Sequence, residues 1–320
     1  MTTHVEGRER KLALIAWMSV CLIWGTTYLA IRVSVETIPP WLMSGVRWLA
    51  AGGAIAAFMA ARGERVFTVP HWRGAAFLGF FMFVLGNGCV VLAEVFVPSG
   101  LAAMIVATAP FWMAGVEAMR RDGERITWRT ITGFVVGFCG VLLLIWPDLF
   151  RGGASGRNVI IGVVSLQVAG VGWAIGSSYS KRHAREANVF SSAATQMILG
   201  GVMMLAIATA LGEWKGLAVS SRSALAFGYL TTIGAIGGFV AYTYALRHLP
   251  VSLVSLYAYV NPIIAVALGV AVLGEPFTGR MAAAAALVLG GVAIVRSQRQ
   301  TRRPLMSRTR KSTMAITSST

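Results

Sequence analysis

Long apolar runs constrain the fold of this chain more than any other feature of its sequence. Ten such runs, most of them about twenty residues long, follow one another between Leu12 and Val295. Backbone amides in hydrocarbon must be hydrogen-bonded within their own segment, so continuous runs of this length form membrane-spanning helices. The sequence therefore predicts an all-α integral membrane protein. Its ten transmembrane helices, numbered one to ten, are predicted at 12–31, 41–61, 74–94, 99–118, 128–146, 159–180, 191–211, 224–245, 252–273 and 281–295.

The composition excludes an ordinary soluble protein of this size. Of the 320 residues, 56% are hydrophobic and only 12% are charged, and the mean hydropathy is +0.70. A soluble chain needs roughly 25% charged residues to cover its surface. The connections are mostly short, so no separate soluble domain is predicted. The first apolar run is too long for a removable signal and is expected to remain as helix one.

Two halves of the chain share a spaced pattern. Pro98 and Pro110 recur as Pro250 and Pro262 at an offset of 152, and 25–28 matches 176–179 at an offset of 151. Each unit contains five helices, an odd number, so the second must enter the membrane from the opposite side. We predict two inverted five-helix repeats. The predicted segments are a cytoplasmic amino-terminal segment (1–11), the first repeat (12–146), an extracytoplasmic connection (147–158), the second repeat (159–296) and a basic, disordered cytoplasmic tail (297–320).

The basic residues indicate an orientation. Twenty-one Lys and Arg fall on one side of the predicted membrane and 6 on the other, while Arg47 lies within a span. The positive-inside bias places both termini in the cytoplasm. The formal charge of +16 is therefore interpreted as a topological signal that calls for no nucleic-acid partner, and the tail is expected to touch anionic lipid. The predicted partners are the lipid bilayer and a small-molecule substrate.

Four features of the sequence together resemble the pattern of a known family. They are Trp24-Gly25-Thr26-Thr27-Tyr28 in helix one, Arg47 in helix two, the repeated prolines, and Leu273-Gly274-Glu275-Pro276 before helix ten. Over residues 12 to 296 the chain resembles an EamA-type member of the drug/metabolite transporter superfamily. This resemblance implies a bacterial inner-membrane exporter of amino acids or related metabolites. More distant relatives carry nucleotide sugars, triose phosphates or cationic drugs.

Two prolines lie near the centres of helices four and nine, at equivalent places in the two repeats. Pro110 and Pro262 each leave the carbonyl four residues earlier without its helical donor. A structural kink is one reading; their equivalent placement favours a gating or helix-breaking role. Pro98 and Pro250 open their helices, where a missing donor costs little, and are interpreted as structural.

One charge inside a span has to be explained. Arg47 lies roughly 9 Å from the predicted outer end of helix two, so it either snorkels to the interface or faces the bundle interior. In the interior it would orient a substrate carboxylate or pair with Glu94. Glu94 itself lies too far outward to be a convincing titratable site, so energy coupling stays open, with a facilitative or weakly proton-linked mechanism slightly favoured.

Polar and aromatic residues of the spans complete the predicted substrate site. A Ser or Thr in a span often bonds its own helix, and Tyr or Trp often anchors at the interface. Asn261 precedes Pro262, so it either packs helices or presents an amide to a polar solute. The predicted substrate-binding residues are Trp24, Thr27, Tyr28, Arg47, Asn87, Glu94, Tyr179, Gln196, Tyr242, Tyr257 and Asn261.

Glycines suggest where helices approach closely. Gly133, Gly137 and Gly140 lie in helix five, and Gly290 and Gly291 in helix ten. Such spacing favours close helix contact, through a homodimer of helices five and ten or through packing within one chain.

The sequence lacks the motifs of common enzymes and metal-binding proteins. The 3 cysteines lie in spans, the 4 histidines are scattered, and we find no HExxH, Ser-His-Asp or phosphate-binding glycine motif. No cofactor, metal or enzymatic activity is predicted. One cation in the cavity is too few for a nucleotide sugar, which leaves small zwitterionic or neutral solutes. We predict a secondary transporter that exports such metabolites by alternating access; the alternatives are a drug or other-metabolite exporter and a non-transporting membrane sensor or scaffold.

Overall fold

The computed structural model describes residues 2–66, 72–119, 126–150, 154–183, 189–249, 254 and 257–301, and these residues contain helices but no β-strand. The elements in chain order are α1 (Thr2–Ser34), α2 (Pro40–Ala61), α3 (Trp72–Leu78), π1 (Gly79–Gly88), α4 (Cys89–Phe96), α5 (Ser99–Val106), α6 (Ala109–Ala118), α7 (Trp128–Phe150), α8 (Ala154–His183), α9 (Val189–Ala210), a 3₁₀ turn (Glu213–Gly216), α10 (Ser221–Tyr229), π2 (Leu230–Gly237), α11 (Gly238–His248), α12 (Tyr257–Leu273) and α13 (Gly279–Thr301).

Eight helices within the described ranges are long and apolar enough to cross a membrane. The all-α membrane prediction is thereby confirmed. Two further apolar helices, Tyr259–Leu273 and Gly279–Ile294, are shorter. They correspond to predicted helices nine and ten. Predicted helix nine begins at residue 252, which lies outside the described ranges, and predicted helix ten is itself short. The eight spans are Glu9–Ser34, Pro40–Ala61, Trp72–Phe96, Ser99–Ala118, Trp128–Pro147, Gly156–Ser180, Phe190–Ala210 and Ser221–Tyr242.

Two of these spans contain a long π-helical segment. α3, π1 and α4 form one continuous span, as do α10, π2 and α11. π1 begins at Gly79 and π2 at Leu230, which are 151 residues apart, the same offset that relates the two sequence halves. π-helical turns are rare and are frequently found at functional sites. The sequence analysis did not foresee either segment.

Glycines allow the closest helix contacts. A Cβ atom added to Gly52 of α2 would lie 2.9 Å from the carbonyl oxygen of Ala194 in α9. One added to Gly291 of α13 would lie 2.4 Å from the carbonyl oxygen of Gly133 in α7. The glycines of predicted helices five and ten therefore contact each other within one chain; a homodimer through these helices stays a prediction.

The two central prolines sit in different local structures. Before Pro110 the helix is interrupted at Ala107–Thr108, between α5 and α6. There the Thr108 amide bonds the Ile105 carbonyl at 3.0 Å in a tighter i to i+3 turn. Pro262 instead lies inside the continuous helix α12. Pro98 occupies the position before α5, and Pro250 lies outside the described residues.

Helices extend beyond the predicted spans at several ends. α1 starts at Thr2 within the predicted amino-terminal segment, and α13 runs to Thr301 within the predicted tail. α7 and α8 both run into the predicted connection at 147–158. Adding residues to an existing helix is easier than starting one, so helices readily continue past the hydrocarbon. Residues 302–320 of the predicted tail lie outside the described part of the chain.

Candidate functional site

Two residues of opposite charge type are buried in the membrane-spanning part. Arg47 of α2 is 3% exposed and Glu94 of α4 is 0% exposed. Their charges are close enough to interact electrostatically. Among the described residues, however, the Nε and NH1 atoms of Arg47 and both carboxylate oxygens of Glu94 have no hydrogen-bond partner. The site therefore holds buried donors and buried acceptors that have no partner.

Two more charged residues surround Glu94. The Arg32 guanidinium donates to the backbone carbonyls of Glu94 and Val95, the second at 3.2 Å, and so caps the end of α4. Arg32 and the Glu275 carboxylate both act electrostatically on Glu94. Sequence reasoning did not assign either residue to the site. Glu275 bonds Ser99 and Gly100 at the start of α5, and this long-range contact is not predicted by any local sequence pattern.

Asn87 helps to hold the neighbour of Arg47 in place. The indole nitrogen of Trp48 donates to the Asn87 side-chain oxygen at 2.8 Å. The Arg47 guanidinium lies 4.5 Å from the centre of that indole ring, within the range of a cation–π interaction. Asn87 lies in π1, so the π-helical segment positions Trp48 and, through it, Arg47.

Three aromatic rings from separate helices form a cluster. Trp24 of α1 lies 5.2 Å from Tyr242 and 4.8 Å from Tyr257, and the two tyrosine rings are 6.0 Å apart, all measured between ring centres. The Trp24 indole fits against π2 and α11 because Gly238 lacks a side chain: a Cβ atom there would lie 2.4 Å from the indole nitrogen. These distances are those of packed rings.

Tyr28 connects the aromatic cluster to the buried charges. It is buried, and it lies near both Glu94 and Tyr257. Tyr28 lies one helical turn after Trp24 on α1, so both side chains lie on one face of that helix. Seven of the predicted residues thus lie in one connected region, namely Trp24, Tyr28, Arg47, Asn87, Glu94, Tyr242 and Tyr257.

Two other predicted residues bond backbone carbonyls. The Thr27 hydroxyl donates to the Trp24 carbonyl of its own helix at 2.7 Å. With its amide nitrogen turned toward two carbonyls, Asn261 donates to Cys21 at 3.2 Å and to Tyr257 at 3.0 Å. The second carbonyl belongs to the helical turn that precedes Pro262. Asn261 thereby joins α12 to α1 beside the aromatic cluster.

The remaining two predicted residues make contacts in another part of the bundle. Tyr179 of α8 stacks against Phe77 of α3 with ring centres 4.6 Å apart. The Gln196 amide donates to the Ser192 hydroxyl of its own helix at 2.7 Å. These contacts do not bring either side chain to Arg47 or Glu94.

Two carboxylates of the second half cap helices of the first half. Glu275 accepts hydrogen bonds from the Ser99 amide (2.8 Å), the Ser99 hydroxyl (2.8 Å) and the Gly100 amide (3.1 Å) at the start of α5. Glu213 accepts one from the Leu42 amide at 2.8 Å at the start of α2. Burial raises the pKa of Glu213, and the backbone amides of α2 partly oppose that rise by stabilising the carboxylate. Helix starts favour such acceptors because their amides lack partners within the helix.

A cavity of about 410 Å³ lies between α5, α12 and α13, away from the buried charges. Its lining is apolar and includes Pro262, Val266 and Phe277. Ile263, which also lines it, is 63% exposed, as expected for a lipid-facing side chain. This cavity is suited to hydrocarbon and not to a polar solute. Across the described ranges, no group of three His, Cys, Asp or Glu side chains could hold a metal ion.

Comparison with known proteins gives consistent matches along the whole chain. Residues 11–146 and 160–297 each match the model of the EamA-like transporter family. The uncharacterized inner membrane transporter YedA of Escherichia coli K12 is 34% identical over 262 residues, which are 81% of this chain and 82% of YedA. The uncharacterized transporter YoaV of Bacillus subtilis is 25% identical over 87% of this chain and 94% of its own.

A further relative carries a substrate class in its name. The probable amino-acid metabolite efflux pump of Salmonella typhimurium is 24% identical over 297 residues, covering 89% of this chain and 95% of the pump. A solved crystal structure aligns with 91% of this chain and 99% of its own with a TM-score of 0.62. At 20% identity, that likeness shows the fold alone.

Proposed function

Because this chain belongs to the EamA-like transporter family, we propose that it is a secondary carrier that exports small zwitterionic or neutral metabolites, such as amino acids, by alternating access. The observation that carries the substrate class is the buried pair of Arg47 and Glu94. Their unused donors and acceptors complement the carboxylate and the ammonium group of an amino acid. A buried polar atom without a partner is costly, and a bound zwitterion would supply the missing partners.

The proposed architecture is ten transmembrane helices in two inverted five-helix repeats, with both termini in the cytoplasm of a bacterial cell. Three observations support the repeats: two matches to one family model, the sequence offset of 151, and the start of π1 and π2 at that same offset. Inverted repeats place the solute near the middle of the membrane and let the two halves exchange conformations. The excess of Lys and Arg on one side supports the orientation.

The charge balance of the site argues against other solute classes. Arg47 has free donors, whereas Arg32 is occupied by the carbonyls of Glu94 and Val95. A nucleotide sugar or sugar phosphate would bring about two negative charges into a site that already contains Glu94. A lipophilic cation would find the Glu94 carboxylate, but it would leave the neighbouring Arg47 uncompensated. A zwitterion satisfies both residues.

Transport by the purified chain tests this proposal. Full-length protein in proteoliposomes should exchange labelled amino acids from a panel of the standard ones. Arg47→Met keeps most of the side-chain volume and removes the cation, so we expect flux to fall by at least about tenfold, since a lost charged contact is typically worth more than 1.4 kcal/mol. Arg222→Gln is the matched control because Arg222 makes only an exposed ion pair with Glu36 at 3.8 Å. Absence of flux in the wild type, or equal flux in R47M, would refute the proposal.

A further inference from the structure

We propose that Glu94 is a proton-binding site at which a proton and the ammonium group of the solute compete, so that export of solute is coupled to entry of a proton. The inference rests on the proposed function and adds its source of energy. Sequence reasoning rejected Glu94 for this role because it lies near the end of a span. In the structure its side chain is nonetheless completely shielded from water.

Glu94 differs in its hydrogen bonding from three other glutamates of the described chain. Glu275, Glu213 and Glu117 all accept hydrogen bonds from amides or hydroxyls, at 2.7 to 3.1 Å. Both oxygens of Glu94 lack a partner in the described part of the chain. An ionised carboxylate in this condition is strongly disfavoured, so Glu94 either carries a proton or holds a cation. No structural role uses its oxygens.

The groups around Glu94 act in opposite directions. From α1, Arg32 and Tyr28 face it; from α2, Arg47; and from the segment before α13, Glu275. Nearby positive charges favour the ionised form of a carboxyl group, whereas burial and a neighbouring carboxylate favour its protonated form. A carboxyl group under such opposing effects can gain or lose its proton when the charge of one neighbour is compensated. A bound zwitterion compensates the charge of Arg47 in this way.

Binding of a zwitterion changes two of these influences at once. Its carboxylate pairs with Arg47 and weakens the field that this residue exerts on Glu94. Its ammonium group occupies the position of the proton, which leaves to water on the side where the solute entered. On the opposite side a proton from water binds the Glu94 carboxylate and the solute departs. No covalent bond is made or broken other than the O–H bond of the carboxyl group.

This exchange has a definite charge balance. A zwitterion moves outward with no net charge while one proton moves inward, so each cycle carries one positive charge into the cell. Both an acidic exterior and a negative interior potential therefore drive export. At equilibrium and at zero membrane potential, a pH difference of one unit sustains about a tenfold ratio of solute concentrations when one proton exchanges for one solute molecule.

The experiment uses the full chain in proteoliposomes that contain a trapped pH-sensitive dye and a mixture of labelled amino acids on both sides. Valinomycin with equal potassium on both sides holds the membrane potential at zero. With an imposed pH difference of one unit, the wild type should build about a tenfold solute ratio and move protons in the opposite direction. Glu94→Gln should reduce the ratio to about 1, and Glu94→Asp, which keeps a carboxyl group, should restore it at a lower rate. Glu36→Gln is the matched control, because Glu36 is an exposed carboxylate just after the carboxyl-terminal end of α1.

The outcomes separate the two proposals. Wild-type flux with no response to the pH difference would overturn the exchange and leave the proposed function standing, and so would a pH-driven ratio in E94Q equal to that of the wild type. If the wild type moves no amino acid, the proposed function fails and the exchange fails with it. Should E94Q not fold, proton release by solubilised wild type on addition of the same amino acids decides the matter: about one proton per chain supports the exchange, and none overturns it.

Discussion

Replacement of Glu275 by alanine removes the acceptor of three hydrogen bonds at the start of α5, at 2.8, 2.8 and 3.1 Å. Capping substitutions cost about 0.5 to 2 kcal/mol, and single bonds to a charged group about 1.5 to 3 kcal/mol. Glu275 is half-buried and the three bonds share one carboxylate, so they do not add fully. We expect Glu275→Ala to lower the free energy of unfolding by about 2 to 4 kcal/mol.

The measurement is reversible unfolding in mixed micelles, followed by tryptophan fluorescence. Glu275→Gln keeps one carbonyl acceptor but loses the charge, so we expect about half the loss seen with alanine. Glu64→Gln is the control, because the ion pair of Glu64 with Arg62 at 3.2 Å is largely exposed and should contribute less than about 1 kcal/mol. If E275A unfolds with the same free energy as E64Q, the capping argument is wrong.

Three further predictions follow from the packing and the charge pattern. Gly52→Leu should destabilise the contact of α2 with α9 by about 1 to 3 kcal/mol, whereas the adjacent Gly53→Leu, with no atom within 4 Å of its added Cβ, should be nearly neutral in the same assay. Gly291→Leu should separate α13 from α7 and lower the yield of folded protein in size-exclusion chromatography; Gly290→Leu, also with open space around its Cβ, should not. A green fluorescent protein fused to the carboxyl terminus should fluoresce and an alkaline phosphatase fused there should be inactive, because the basic tail is expected in the cytoplasm; the opposite pattern would contradict the orientation.

The sequence predicts the helical membrane fold well because long apolar runs have few alternative structures. It is less informative about π1 and π2. A π-helical turn differs from an α-helical turn only in which carbonyl each amide bonds, and the side chains of Gly79 to Gly88 are ordinary for a membrane span. Only the finished packing distinguishes the two, and it places π1 against α8 and α9 and π2 against α1 and α2.

For the site, sequence reasoning works best for residues whose type is unusual in a membrane. Arg47 draws attention because a charge in a span needs an explanation. Glu94 is predicted as a substrate-binding residue too, but its complete burial is not, because position along a helix does not tell which neighbouring helices cover a side chain. Arg32 and Glu275 were missed, since both lie near helix ends where charged residues are common. Tyr179 and Gln196 were included by residue type, and the structure gives them contacts elsewhere.

The capping of α2 and α5 also sets an order for assembly. Both helices belong to the part of the chain that is synthesised first, yet the carboxylates that complete their first turns, Glu213 and Glu275, follow in the second half. During synthesis the backbone amides at these helix starts therefore bond water or lipid headgroups until Glu213 and Glu275 have been made. The amino-terminal half reaches its final hydrogen bonding only after the ribosome has passed residue 275, so this half cannot complete these helix starts alone.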